Sequence, residues 1–451
     1  MQAIFNQLES MMTTALTGSV VRTQGMTIAV AGMPAPVGAV VEIQRQSGPP
    51  VRGEIVGFQD SLSIVYPFSS TSGIRHGSTV RLVHTTRYVR LGTELLGRVV
   101  NGFGDCVDER PPPPLPDRGR LDNPPPTAFE RPRIDQPLST GIRAIDGMLP
   151  CGLGQRIGIF SGSGVGKSVT LGMMARYADA DVNVIALIGE RGREVNEFIQ
   201  RDLGPEGAKR SVIVVATSDE PAIQRVQAAM TATTIAEYFR DQGKNVLLIM
   251  DSITRFAMAQ REIGLAAGEP PATRGYPPSV FAMLPQLVER AGRSALGSIT
   301  AFYSVLVEGD DLNEPVSDAV RGLLDGHTIL SRKLASQGHY PAIDVLESIS
   351  RLATEVTTPE QQQAMLSIRQ LLAAYREHED LITIGAYRPG ANFQVDTAIA
   401  LREELNRYLQ QRVDEQSSFQ KSQQELLALA TRARLAQGNQ AKMRKPQAAK
   451  A

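Results

Sequence analysis

Gly158-Ile-Phe-Ser-Gly-Ser-Gly-Val-Gly-Lys-Ser168 reads as the end of a β-strand, a glycine-rich turn and the first turn of a helix. A backbone arranged in that way cradles phosphate groups. Gly162, Gly164 and Gly166 let the main chain approach closely and tolerate positive φ, while Ser163 and Val165 complete the turn. Lys167 is placed to reach the β- and γ-phosphates of a triphosphate, and the Ser168 hydroxyl to occupy one position around Mg²⁺. The helix that follows adds its N-terminal partial positive charge. Ser161 stands where the commonest form of this loop has glycine. What that position needs is a small side chain, so serine is a tolerable variant. The apolar run 157–160 before the loop and the helical stretch 169–177 after it supply the context the motif requires.

Working outward, residues 130–357 alternate apolar runs with helical segments, the pattern of an α/β domain with a mostly parallel sheet. The run 182–188 ends at Gly189-Glu-Arg-Gly-Arg-Glu194, 211–216 forms another strand, and 246–250 leads directly into Asp251. In such folds chemistry collects at the carboxyl ends of strands. Asp251 is therefore a candidate to support Mg²⁺, and Glu190 to polarise an attacking water. The alternative for Glu190 is a capping or salt-bridged carboxylate among Arg191, Arg193 and Glu194.

The flanking regions have a different texture. Residues 1–16 carry Ile4, Phe5, Leu8, Met11 and Met12 on one helical face, which suits either packing on the chain's own domain or docking to a partner. From 17 to 90, short β-rich runs at 19–22, 27–30, 39–43, 53–58, 61–66 and 79–83 alternate with Gly, Pro and Ser turns. That spacing predicts a small barrel or sandwich, read here as an assembly domain. The proline-rich stretch 110–126, within a core spanning 91–357, predicts an extended connector. Residues 358–440 read as a polar helical domain with Leu401, Leu405 and Leu409 at four-residue spacing, and 441–451 as a basic, disordered tail.

Bulk properties narrow the class. The 451 residues include 47 Lys plus Arg and 47 Asp plus Glu, and this balance argues against a protein that coats nucleic acid. Cys106 and Cys151 are too few for a disulfide framework. No apolar stretch approaches the roughly 18 residues of a membrane span. The N-terminus lacks a basic region followed by an apolar one, so it does not read as a signal peptide. A cytoplasmic protein is expected.

The phosphate loop, Gly189-Glu-Arg-Gly-Arg-Glu194, the strand ending at Asp251 and Pro341-Ala-Ile-Asp-Val-Leu-Glu-Ser-Ile-Ser350 together resemble the rotary ATPase α/β superfamily. Within it, the stretches 251–264, Thr273-Arg-Gly-Tyr-Pro-Pro-Ser-Val-Phe281, 309–318 and Ile384-Gly-Ala-Tyr-Arg-Pro-Gly390 resemble the flagellar and type III secretion export ATPases. The resemblance implies a RecA-like, mostly parallel sheet core with an N-terminal β-barrel domain and a C-terminal helical domain. It also implies an ATP hydrolase using Mg²⁺, with Lys167 on the phosphates, Glu190 as catalytic carboxylate and Arg191 beside the γ-phosphate. Tyr340 would pack on the adenine of its own subunit, and Arg351 would act on the ATP of the adjacent one. Non-catalytic relatives carry glutamine where Glu190 stands. One chain holding both Glu190 and Arg351 implies a homohexamer.

The partners implied are a regulator at the N-terminal segment, a stalk subunit and export cargo or chaperones at the C-terminal domain, and a peripheral contact with a membrane export gate. Two alternatives remain: the catalytic subunit of an ion-translocating rotary ATPase, and a ring-shaped RNA translocase. The second would want a barrel with stacking aromatics interleaved with basic residues, which is not found, so no nucleic-acid partner is expected.

Overall fold

The short β-rich runs of the N-terminal region pair with one another and close. In the computed structural model, which describes residues 16–444 apart from 308 and 310, the strands Thr17–Gln24, Thr27–Ala31, Leu62–Pro67, Val51–Gln59, Val40–Ile43 and Thr79–His84 follow one another around a closed barrel. Every pairing in it is antiparallel. Val20, Ile28, Val30, Val41, Ile43, Ile55, Val65 and Val80 fill its interior. Closure removes the exposed edges that six short strands would otherwise present. Of the two β architectures the spacing allowed, the chain adopts the barrel. The amphipathic stretch 1–16 falls, but for its last residue, outside the described residues, as does 445–451.

The central sheet is nine-stranded among the described residues. Its order is Ile343–Ser350, Gly326–Leu330, Arg156–Ser161, Ser298–Leu306, Asn245–Asp251, Val182–Ile188, Ser211–Ala216 and Val99–Asn101, with short Gly292–Arg293 alongside Ser298–Leu306. All pairings are parallel except those of Ile343–Ser350 and Gly292–Arg293. Both faces are covered, which is why the central strands are predominantly apolar on both sides. Val184, Ala186, Val246, Leu248 and Met250 point into one core layer with the helix Ala222–Asp241. Ile185, Leu187, Leu247 and Ile249 point into the other, against the helix Lys167–Tyr177 and the C-terminal helices.

The proline-rich connector is tied down. Its Asp117–Arg120 pairs antiparallel with Tyr88–Leu91. Buried Glu54 on the barrel binds Arg87 at 3.1 Å and accepts from the Gln227 amide at 2.9 Å, and the Tyr66 hydroxyl donates to Glu262 at 2.9 Å. The barrel is thus hydrogen-bonded to the core.

Among the described residues, four helices, Pro359–Thr383, Phe393–Ala400, Arg402–Leu409 and Phe419–Arg444, form the C-terminal region. Thr358 and Gln361 make a capping box that starts the first. Leu401, Leu405 and Leu409 are buried, as their spacing predicts. Arg143 on the core reaches Glu415 at 2.7 Å and Glu425 at 3.1 Å, and the Gln423 amide donates to the Asp146 carbonyl at 2.7 Å.

Candidate functional site: a phosphate loop and two strand-end carboxylates

The strand Arg156–Ser161 delivers the glycine-rich turn to the carboxyl edge of the sheet. Gly164 and Gly166 have φ of 78° and 91°, the left-handed region where a β-carbon is costly. Gly166 caps the helix that begins at Lys167, so the loop's N–H groups and the helix N-terminus converge. Val165 is buried and anchors the turn in the core, while Ser163 and Ser168 are exposed.

The ends of Arg156–Ser161, Asn245–Asp251 and Val182–Ile188 come together there, with Ser298–Leu306 lying between the first two. The Lys167 ammonium crosses over Ser298–Leu306 and donates to Asp251 Oδ1, and it lies 3.8 Å from Glu190 Oε1. The Ser304 hydroxyl, on the strand in between, donates to the same Asp251 oxygen at 2.8 Å. Asp251 is 2 % exposed. Burial pushes the Glu190 carboxyl up to about 7, the Asp251 charge pushes it the same way, and Lys167 opposes. Burial alone would lower Lys167, but the Asp251 and Glu190 carboxylates outweigh it and hold the ammonium above its ordinary value. The cluster thus combines a fixed cation, a deeply buried carboxylate and a second carboxylate with raised proton affinity, a pattern typical of functional sites.

Tyr340 lies beside the same loop: a β-carbon on Gly166 would come within 3.4 Å of its ring. Tyr340 is 47 % exposed. A cavity of about 280 Å³ opens next to the loop's first residues, lined by Phe160, Ser161, Gly162 and the segment 329–333.

Arg191 is not drawn into the cluster. It precedes the helix Gly192–Glu197, its side chain is exposed, and it pairs loosely with Glu194 at 3.6 Å. Arg255, to which sequence reasoning assigned no role, is there instead. A β-carbon on Gly189 would come within 3.1 Å of its Cβ, its charge acts on both Glu190 and Lys167, and its Nε is buried without a hydrogen-bond partner. Its signal in the sequence was its place four residues after the strand-end Asp251. Ser304 was also missed; nothing in its apolar strand marks it.

Arg351 lies elsewhere. Its N–H donates at 3.0 Å to the carbonyl of Asp325, the residue before Gly326–Leu330, at the amino edge of the sheet. It lines a cleft of about 320 Å³ rich in arginine. There Arg131 pairs with Glu289 (3.2 Å), Arg133 with Glu355 (2.6 Å), Arg156 with Asp325 (3.0 Å) and Arg293 with Asp135 (2.5 Å). Arg351 is exposed and makes no ion pair among the described residues.

Comparison with known proteins agrees with this architecture. The nucleotide-binding domain of the ATP synthase alpha/beta family matches residues 141–350, the beta-barrel domain of that family matches 17–83, and the T3SS EscN ATPase C-terminal domain matches 357–428. The flagellum-specific ATP synthase of Treponema pallidum is 52% identical over 404 residues, covering 89% of this chain and 90% of the relative. The chain belongs to the flagellar and type III secretion ATPases of the ATP synthase alpha/beta family.

This export ATPase also matches the assembled ATPase EscN of the enteropathogenic E. coli type III secretion system, with a TM-score of 0.87, 45% identity and coverage of 92% of this chain and 100% of that one. EscN in complex with its central stalk EscO matches with a TM-score of 0.85 and 44% identity, over 92% of this chain and 100% of that one. The export ATPase hydrolyses ATP, and the barrel, sheet and helical region are the family's architecture. Among the described residues no helix is long and apolar enough to cross a membrane.

Proposed function

We propose that the chain works as a homohexameric ring in which each ATP site, built by one subunit, is completed by Arg351 of the next, and that turnover powers or primes export of flagellar or injectisome proteins. The observation that carries this reading is the separation of Arg351 from its own loop by the length of a strand. A guanidinium that far away cannot touch its own γ-phosphate, whereas a neighbour packed against the cleft could receive it.

Within one subunit, the loop N–H groups of 162–168 and Lys167 hold the β- and γ-phosphates, and the Tyr340 ring packs on adenine. Among the described residues no group of three or more His, Cys, Asp or Glu side chains could hold a metal unaided. The Ser168 hydroxyl and the Asp251 carboxylate, both hard oxygen donors, would hold Mg²⁺, which would supply positive charge to offset that of the phosphates. Glu190 orients a water and takes its proton as the oxygen bonds to the γ-phosphorus and the bridging bond to ADP breaks. Its raised proton affinity suits that task. Arg191 joins the γ-phosphate by leaving Glu194, a weak exposed pair. Arg351 of the neighbour meets the developing charge.

EscN has been solved with its central stalk, and the C-terminal helices here are read as the corresponding contact for a stalk subunit and for cargo or chaperones. Residues 1–16 are read as the regulator's docking segment. Work at the export gate would make the protein cytoplasmic and peripheral to the membrane. Native mass spectrometry with a non-hydrolysable ATP analogue and magnesium tests the ring: hexamers are expected, and a monomer with full specific ATPase activity would refute it.

A further inference from the structure

Gln155 is wholly buried, in the turn that enters the strand Arg156–Ser161. Its Oε1 accepts from the Gly152 N–H at 2.8 Å. Its Nε2 donates to the Asp325 carbonyl at 3.0 Å and to the Ser350 hydroxyl at 3.1 Å. Both amide protons and one acceptor site are thus used, so the side chain is held in one orientation.

Both of those acceptors belong to the immediate setting of Arg351. The Asp325 carbonyl is the one that also receives the Arg351 N–H, at 3.0 Å. Ser350 is the residue before Arg351, and its hydroxyl donates onward to the Pro150 carbonyl at 2.7 Å. Asp325 cannot drift, because its carboxylate is gripped by the Arg156 N–H at 3.1 Å and by the Arg156 guanidinium at 3.0 and 3.1 Å. One buried amide therefore fixes the arginine's backbone from two sides. The strand that follows Gln155 runs without interruption into the phosphate loop.

We infer that Gln155 is the positioning residue of Arg351, setting where that guanidinium is presented to the neighbouring subunit's ATP. This rests on the reading that Arg351 acts in trans. An arginine supplied to a transition state works only in register, and a misplacement of about 1 Å can cost on the order of a hundredfold in rate. Gln155 enters Arg156–Ser161 at the end opposite the phosphate loop, so its loss should spare nucleotide binding in its own subunit.

The test uses the full chain carrying Gln155→Met, which preserves volume and removes the hydrogen bonds. The expected result is unchanged nucleotide affinity and KM with kcat lowered about ten- to a hundredfold. The variant is then mixed with Glu190→Gln subunits, and Arg351→Ala is mixed with Glu190→Gln in parallel. In a mixed ring, a Gln155→Met subunit keeps its own site and can receive a well-placed Arg351 from a Glu190→Gln neighbour, so activity should exceed that of either variant alone. If the Arg351→Ala mixture recovers and the Gln155→Met mixture does not, Gln155 has no positioning role. If neither mixture recovers, the trans reading fails and takes this inference with it. Should Gln155→Met fail to fold, as judged by circular dichroism, Ser350→Ala removes the shared hydroxyl and carries the same mixing test with the same outcomes.

Discussion

Ser161 and Arg351 stand at opposite ends of one strand layer. Ser161 pairs with Leu330 at the carboxyl edge, while Asp325, whose carbonyl holds the Arg351 N–H, binds the Arg156 carbonyl at the amino edge. The strand Arg156–Ser161 between them is about 17 Å long at the usual rise per residue. An arginine side chain spans less than half of that. The phosphate loop and Arg351 thus present two different faces of one subunit.

Glu190→Gln keeps the size of the side chain and removes its ability to accept a proton. Equilibrium binding of a fluorescent ATP analogue should stay within a few-fold of the parent, while turnover falls by about 10² to 10⁴. Near-parental turnover would show that another group activates the water.

Protonation of Glu190 sets a pH limb. With its carboxyl pushed up to about 7 by burial and by Asp251, kcat/KM should fall as pH drops below about 7. The sign for stability is the opposite. The folded state holds the Glu190 proton more tightly than an unfolded chain with the ordinary value of 4.5, so this group's contribution is full at acid pH and lost as pH rises through about 7. Glu190→Gln should therefore raise Tm at pH 8 more than at pH 5.5, measured by differential scanning fluorimetry without nucleotide. An equal or reversed shift would contradict the assigned environment.

Tyr340→Ala should raise the Kd for ATP about tenfold, with Tyr340→Phe near neutral, since what the base needs is an aromatic face. A loss confined to kcat would place the ring somewhere other than on adenine.

Arg351→Lys retains the charge and loses the planar fork. Recovery of less than about a tenth of the parental kcat is expected, because lysine cannot reproduce bidentate contact with phosphoryl oxygens. Full activity would mean that only a diffuse positive charge is needed.

Much of this was legible in the chain. Val182–Ile188 is buried at every residue and is apolar but for Asn183, and the six barrel strands announce themselves as short β-rich runs set off by turns. The loop, Glu190 and Asp251 were legible because each lies at or just after the carboxyl end of such a strand. Asp117–Arg120 was not: Asp-Arg-Gly-Arg carries no strand signal and is extended only because Tyr88–Leu91 offers it an edge. Arg255 reaches the site through the turn that starts its helix beneath Gly189, which no local pattern states. Nothing in Ser348-Ile-Ser-Arg351 says which edge of the sheet it occupies. That followed from the antiparallel pairing of Ile343–Ser350 with Gly326–Leu330, visible only once the chain is folded.

If a site is complete only between subunits, specific ATPase activity must depend on protein concentration. The parent protein should show activity per subunit that rises steeply with concentration and then saturates, whereas Arg351→Ala should stay low throughout, by about 10³ or more at the plateau, with ATP affinity retained. Activity strictly proportional to concentration in the parent protein, from nanomolar upward and without sign of assembly, would mean that each subunit completes its own site.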